Sequence, residues 1–512
     1  MDDWIDKETG TASFGTRKAK KKKPPGSKAR RKADNVRLRK RFRRVLQAMI
    51  EKPSLKFPAA CNGSAETKAA YRLLDNEHIT FISVLAPHHD ATLERIREQT
   101  IVLIPQDTTE LDLTRPHEVM VGAGPLNDTT RVGFYDHPSL AFTTEGLPLG
   151  VVNAKMWARD PVEFEKDADQ KRAERRAKAI EDKESVRWIE GYRAACVVAQ
   201  AAPATHIVSI ADSEGDIYEY IYEGRAVEGE RKASFIIRAC QNRAVVAPAE
   251  ASSEDSPALL REAVAKTPVL AELTLEIRGR DPKLNSDDRK RRQARKARRA
   301  AVSVRAGRVT LRAPYRPGGK LDDVQVNAVL VREENPPPGE EPIEWLLLTD
   351  EPIYTTEDVL RIIEYYGIRW KIEIYFRILK SGCKVEESQL HTAARFEPYL
   401  ALCMIVAWRI MYVMMLGREC PELPCDVAFD EDEWKSVYAA VKKESPPSKP
   451  PSMKTMVGLI ASLGGWLGRK CDGEPGPKAM WVGMQRMTDL AIGWRACVEH
   501  NTEVASSKRR RE

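Results

Sequence analysis

Apolar positions along this 512-residue chain change their spacing several times, and each change predicts an element. From Asn35, Val36, Leu38, Phe42, Val45, Leu46 and Met49 recur at helical spacing. A second helical stretch follows Gly63, with Ser64 as a candidate cap and Ala69, Ala70, Tyr71, Leu73 and Leu74 on its apolar side. Near residue 100 the texture changes. Thr100 to Asp107 is a short apolar run ending in a carboxylate, which predicts a buried strand. Val132 to Ala141 and Leu149 to Ala158 predict further strands around a turn containing glycine. Glu184 to Ala202 is helical, and His206 to Asp212 is another buried strand ending in aspartate. A helix with Ile217, Tyr220 and Ile221 follows, then a strand at Phe235 to Arg238. Strands alternating with helices predict an α/β sheet.

Residues 239–352 break that alternation. Val269 to Ile277, Ala301 to Arg312 and Val324 to Val331 are β-rich, with loops marked by Pro282, Gly307 and Pro336 to Gly339. This is an inserted β region. Helical patterning returns from Thr356 through Lys380 and from Ala393 to Arg418. A proline-rich loop at Glu444 to Pro451 precedes a final helical segment, Met453 to Glu499, with Met456, Ile460, Leu463, Trp466 and Leu467 on its apolar face. The run Leu400 to Leu416 is the most apolar of all, but Arg409 near its middle predicts a buried helix and not a membrane span. The division that follows is a disordered basic extension at 1–34 and a small helical domain carrying basic residues on its outside at 35–98. The first part of an α/β core spans 99–240, the β-rich insertion 241–352, core helices 353–418, and a C-terminal helical region with a basic tail 419–512.

Composition sharpens this picture in one respect. The chain is 42% hydrophobic and 31% charged, as expected of a soluble globular protein. Its net charge of +8 is clustered in Arg17 to Lys32, Arg37 to Arg44, Arg289 to Arg299 and Lys508 to Arg511. One such cluster is compatible with a solvated tail; four together predict a polyanionic partner, held without sequence specificity. The nine cysteines are scattered, and Cys420 and Cys425 lack a matching Cys/His pair for zinc. Reduced thiols and the polar start Met1-Asp2-Asp3 predict a cytosolic protein with no signal peptide.

The chemistry is carried by carboxylates. Asp107 and Asp212 each end a buried strand, where a side chain is rigidly held yet can face a crevice. Either could also serve as a helix N-cap. The helix beyond them places Tyr366, Arg369, Glu373, Arg377 and Lys380 in one narrow stripe, with Ile368, Ile372, Phe376 and Leu379 adjoining for the core. A lone carboxylate among three cations and a phenol fits either of two readings. One is a solvated face in which Glu373 pairs with Arg369 and Arg377. The other is phosphodiester chemistry, in which carboxylates hold two hard cations while Arg369, Lys380 and Tyr366 clamp a phosphate.

Tyr366, Arg369, Glu373 and Lys380 reproduce the spacing Y-x2-R-x3-E-x6-K. In this the chain resembles the DDE transposases of the insertion-sequence family four. Gln106-Asp107-Thr108-Thr109 resembles the segment bearing that family's first aspartate. Asp212 to Asp216 resembles the second, with Asp212 in the aspartate's place. Glu344 to Thr349, Asn327 to Leu330, Asn335-Pro336-Pro337 and Leu463 to Trp466 also resemble it. The resemblance implies a ribonuclease-H-like α/β core with a β-rich insertion, flanked by N-terminal and C-terminal helical domains. It implies catalytic and metal-binding roles for Asp107, Asp212 and Glu373, and DNA contacts from Tyr366, Arg369, Lys380 and Arg377. Trp345 would stack a flipped base, and Arg238 would lie near the active site; without the family, Trp345 reads as a core residue and Arg238 as a strand-end ion pair.

The activity implied is cut-and-paste transposition through a hairpin intermediate, with transfer of 3′-hydroxyl ends into target DNA. The implied partners are transposon-end inverted repeats, target DNA and a second copy of the chain in the DNA complex, with no membrane, at a bacterial nucleoid. The oxygen-only donor set predicts two Mg2+ ions, with Mn2+ as a substitute. Two departures stand out: the lysine-rich N-terminal extension and basic tail are additional, and Ser213-Glu214-Gly215 replaces a more basic loop. A non-catalytic DNA-binding relative and a structure-selective nuclease on the same core remain the competing classes.

Overall fold

The computed structural model describes residues 2–9, 27–61, 63–115, 117–128, 130–225, 231–246, 259–277, 279, 296–315, 319 and 321–509. Most of the lysine-rich run before Lys28 and of the run 289–299 lies outside these residues, as does the end of the C-terminal tail. The chain divides into two compact units, one formed by 1–168 with 370–512 and the other by 169–369.

In the first unit, strands β1 (Ile101–Pro105), β2 (Thr109–Asp112), β3 (Gly124–Pro125), β4 (Val132–Phe142) and β5 (Pro148–Trp157) are organised around β4. All four others pair antiparallel with it. The pairings Leu103 with Phe142, Gln106 with Ser139 and Thr109 with Asp136 belong to one unbroken register, so β1 and β2 are a single ribbon along β4. The burial of Val102, Leu103 and Ile104 explains why this short run is a strand.

The helix Ala393–Glu419 forms the centre of the unit's helical layer and packs against Phe81–Arg97, β5 and Met453–Leu463. It is long and apolar enough to cross a membrane, yet 94% of its most apolar window is buried within the protein. Arg409 is buried with it and donates from Nη2 to the carbonyl of Ala428 at 2.5 Å. Burial holds its pKa below the ordinary value.

Several local expectations are corrected. Asp2–Thr9, inside the extension predicted to be disordered, is helical. The next helix begins at Ser27, earlier than Asn35. Gly63, at φ +152°, precedes the helix Ser64–Leu74, so Ser64 is its first residue and not its cap. The final helical segment is broken into Met453–Leu463 and Pro477–Arg509. The break follows from Gly464 and Gly465: a Cβ at Gly464 would meet the Ala479 carbonyl oxygen at 1.9 Å, and Gly465 has φ +92°.

In the second unit the strands are β6 (His206–Ala211), β7 (Ser234–Arg238), β8 (Val269–Ile277), β9 (Arg298–Leu311), β10 (Val324–Glu333) and β11 (Glu344–Thr349). Their order is β6-β7-β11-β10-β9-β8. Only β6 and β7 run parallel; the remaining neighbours are antiparallel. The β-rich insertion therefore continues the sheet begun by β6 and β7, because β11 returns beside β7 and carries β10, β9 and β8 with it. Helices Val186–Ala201, Tyr218–Arg225 and Thr356–Ile368 complete the unit's main helical elements.

The helix Asp2–Thr9 is held by a buried polar cluster. Glu8, 0% exposed, pairs with Arg95 at 2.8 Å and accepts a hydrogen bond from His88 Nδ1. His88 Nε2 accepts from the Val151 amide, so the ring proton sits on Nδ1 and the ion pair proper is Glu8–Arg95. Burial pushes the Glu8 carboxyl up, but His88 and Arg95 more than reverse this and hold it below its ordinary 4.5. Glu8→Ala leaves Arg95 unpaired and is expected to cost about 3–5 kcal/mol, read as a lowered melting temperature at neutral pH. Because the folded pKa is depressed, the stabilisation is complete above pH 4.5 and is lost as pH falls through the folded value. The difference between wild type and variant should therefore shrink on acidification; a gap independent of pH would contradict this account.

Candidate active site

In the first unit, Asp107 lies between β1 and β2 on the continuous ribbon. Its amide donates to the Pro138 carbonyl at 3.4 Å, and its Oδ1 accepts from the Thr108 amide at 2.8 Å. It is 9% exposed. Glu373 lies in the first turn of Lys371–Arg377 and is exposed. Its carboxylate makes no hydrogen bond or ion pair among the described residues, so pairing with Arg377 does not account for it. Arg377 is likewise exposed, and Lys380 Nζ lies 3.7 Å from Glu386. Glu386 in turn accepts from the Asp112 amide at the end of β2 at 3.0 Å.

The stripe predicted on one helix is not a single regular helix. Thr356–Ile368 ends at Arg369, Lys371–Arg377 begins after Trp370, and Ile378–Gly382 is a π-helical turn. Both junction residues keep right-handed helical dihedrals, while Glu373 N bonds to Trp370 O across only three residues. A π turn at Lys380 shifts that side chain from its regular helical position.

In the second unit, Asp212 follows β6 and caps the short 3-10 turn Ser213–Gly215, accepting from the Glu214 amide at 2.8 Å. The capping role allowed from sequence is thus realised, through one oxygen only. Gly215 is required there, since a Cβ would meet Ala211 Cβ at 2.6 Å and the Trp188 ring at 3.1 Å. Parallel β6 and β7 end at the same side of the sheet, and antiparallel β11 begins there. Asp212, Arg238 and Trp345 are therefore grouped at one sheet end. Arg238 Nη2 donates to the Glu344 carbonyl at 3.2 Å, and no ion pair of Arg238 occurs among the described residues. A cavity of about 240 Å³ beside them is lined by Ser213, Arg238, Cys240, Arg261 and Glu344.

Trp345 packs edge-on against Tyr366, with ring centroids 5.8 Å apart at 62°. Tyr366 is 2% exposed. Burial raises its phenol above 10.0, while Arg369 and Arg238 oppose the rise. Arg369 is also buried.

Among the described residues, no three His, Cys, Asp or Glu side chains are gathered as a metal cage. The individual donors nonetheless suit a hard cation: they are carboxylate oxygens, Glu373 is unpaired, and Asp212 offers one oxygen free of hydrogen bonds among the described residues. All nine cysteines are free thiols.

Sequence reasoning missed Asp136, His137 and Arg261, and gave Asp216 no role of its own. Asp136, on the same face of the ribbon as Asp107, is wholly buried, and burial pushes its pKa up to about 8. Only strand register could have located it. Asp216 differs from Asp212 in kind: its buried carboxylate accepts from the amides of Cys240 and Gln241 at 2.9 and 2.8 Å and pairs with Arg243 at 2.5 Å.

Three family models match the chain. Transposase DNA-binding covers residues 34–79, transposase DDE domain covers 225–409, and transposase Tn5 dimerisation domain covers 405–502. The DDE match includes Glu373 and begins after Asp107 and Asp212. The DNA-binding match includes a groove lined by Arg37, Lys40, Arg41 and Arg44. With these domains on a mixed α/β framework, the chain belongs to the DDE transposases. Within that class its dimerisation domain gives it a resemblance to the transposase of Tn5. Among solved structures, a cryo-EM structure of a piggyBac transposase synaptic complex with hairpin DNA matches at 8% identity and a TM-score of 0.28, covering 77% of this chain and 58% of that one.

The two aspartates are separable by experiment. Asp216→Ala breaks a buried ion pair and should cost about 3–5 kcal/mol. Asp212→Asn keeps an N-cap and should change stability by less than about 1 kcal/mol. Denaturant unfolding of the two variants checks this; equal losses would make Asp212 a structural residue.

Proposed function

We propose that this protein is a cut-and-paste DNA transposase whose metal site is formed by Asp107, Asp212 and Glu373. The observation that carries the reading is Glu373, an exposed carboxylate with no ion pair among the described residues, close in sequence to Arg377 and Lys380 and inside the DDE-domain match.

Divalent ions, two Mg2+ or their Mn2+ substitutes, would supply an activated attacking oxygen and neutralise charge on the leaving oxygen. Asp107 and Asp212 contribute carboxylates from strand ends, where backbone hydrogen bonds limit their motion. Glu373 contributes the third from a helix. Arg377 and Lys380 attract phosphate groups, and Arg238 with Arg261 does the same at the cavity beside Asp212. Trp345 offers an indole on which a flipped base can stack, and Tyr366 supports that indole from its edge.

The reaction we infer begins with water attacking one strand at each transposon end. The freed 3′-hydroxyl attacks the opposite strand to give a hairpin, a second water opens it, and the 3′-hydroxyls join target DNA. Residues 34–79 bind the terminal inverted repeats, and 405–502 bring two copies of the chain together on DNA. A DNA-binding transposase is expected inside the cell, and we place its action at the bacterial nucleoid.

Glu373→Ala should reduce metal-dependent cleavage of duplexes carrying the element's terminal repeats to background, while their binding in a gel-shift assay stays within about threefold, as expected when phosphate contacts dominate affinity. Cleavage that persists in the variant would remove Glu373 from the chemistry. Equal cleavage by wild type of duplexes lacking the repeats would favour a structure-selective nuclease instead.

A further inference from the structure

The register of the β4 ribbon places His137 directly across from Thr108, with Gln106 diagonally next on the same face. His137 and Gln106 are both 0% exposed. His137 Nε2 lies 3.0 Å from Gln106 Oε1, and its Nδ1 lies 2.9 Å from Thr108 Oγ1. With Gln106 Oε1 accepting, Nε2 carries the ring proton, and Nδ1 accepts the Thr108 hydroxyl proton. One tautomer satisfies both nitrogens.

The residues joined in this way are the two immediate neighbours of Asp107. Side chains alternate along the ribbon, so Asp107 projects from the opposite face, where Thr109 and Asp136 also lie. The Thr108 amide donates to Asp107 Oδ1. Thr108 is thus held from behind by an imidazole while its backbone orients the carboxylate in front. A strand that ended freely at Pro105 would let Asp107 rotate with the chain.

We propose that His137 is a positioning residue that fixes Asp107 through Gln106 and Thr108, and that Mg2+ binding depends on this rigidity more than Mn2+ binding does. The inference rests on the reading of Asp107 as a metal ligand. Mg2+ demands near-ideal octahedral geometry and gives up its water reluctantly. Mn2+ is larger and tolerates a displaced oxygen better. Support behind a ligand therefore matters more for Mg2+, and residues in such supporting positions typically change metal affinity about 10–100-fold when removed.

The test is calorimetric titration of Mg2+ and of Mn2+ into the full-length wild type, Thr108→Val, His137→Phe, Ser139→Ala and Asp107→Asn, with a thermal melt of each. Thr108→Val is close to isosteric and removes only the hydroxyl. Ser139 is buried on the same strand face, and its hydroxyl has no hydrogen-bond partner among the described residues, which makes Ser139→Ala the control. Thr108→Val and His137→Phe should weaken Mg2+ about 10–100-fold and Mn2+ distinctly less, with Ser139→Ala unchanged. Unchanged Mg2+ affinity in Thr108→Val, or equal losses for both ions, would overturn the proposal while leaving Asp107 as a ligand. Full Mg2+ affinity in Asp107→Asn would overturn the ligand reading and this inference with it.

Discussion

The constraint on which the first unit depends is the unbroken antiparallel register of residues 101–112 along β4. A strand that simply stopped at Pro105 would leave Asp107 in a loop. Here the pairing continues through Gln106 with Ser139 and Thr109 with Asp136, so Asp107 is held within a ladder though it terminates the apolar run. A shift of one residue would exchange the two faces, turning Asp107 inward and His137 toward its side. The carboxylate's position is thus a property of strand pairing, and the side chains behind it add orientation.

The second unit solves a similar problem differently. Asp212 ends a parallel strand and is directed by a 3-10 turn that requires Gly215 against Trp188. Asp216, four residues on, secures the following segment through Arg243 and two amides. One acidic cluster in the sequence therefore contains a residue that can bind a ligand and a residue already committed to the fold. Hydrogen-bond occupancy separates them: every oxygen of the Asp216 side chain has a partner, whereas Asp212 uses one.

Much of this was legible in the sequence. The strands ending at Asp107 and Asp212 and the buried helix around Arg409 follow from apolar runs with a charged residue at a telling position. Strands β8, β9 and β10 were visible for the same reason, since their β-rich patterning is local. That they extend the sheet of β6 and β7 was not visible, because the pairing of β11 with β7 joins residues more than a hundred positions apart. The helix stripe was legible as a composition but not as a geometry: the break at Arg369 and Trp370 and the π turn at Lys380 leave no mark in residue spacing. Asp2–Thr9 was missed because its stability comes from Glu8 meeting His88 and Arg95, a tertiary contact that overrides a polar, weakly helical segment. His137 was invisible for the same reason, being thirty residues from the aspartate it supports.

Asp107, Asp212 and Glu373, distant in the chain, are proposed to hold the same metal site. Anomalous diffraction from crystals of the protein bound to its terminal-repeat DNA and soaked in Mn2+ tests it directly. Manganese peaks are expected at carboxylate-bonding distance, about 2.0–2.3 Å, from oxygens of Asp107, Asp212 and Glu373. Manganese bound elsewhere, with any of the three carboxylates left out of its coordination, would contradict it.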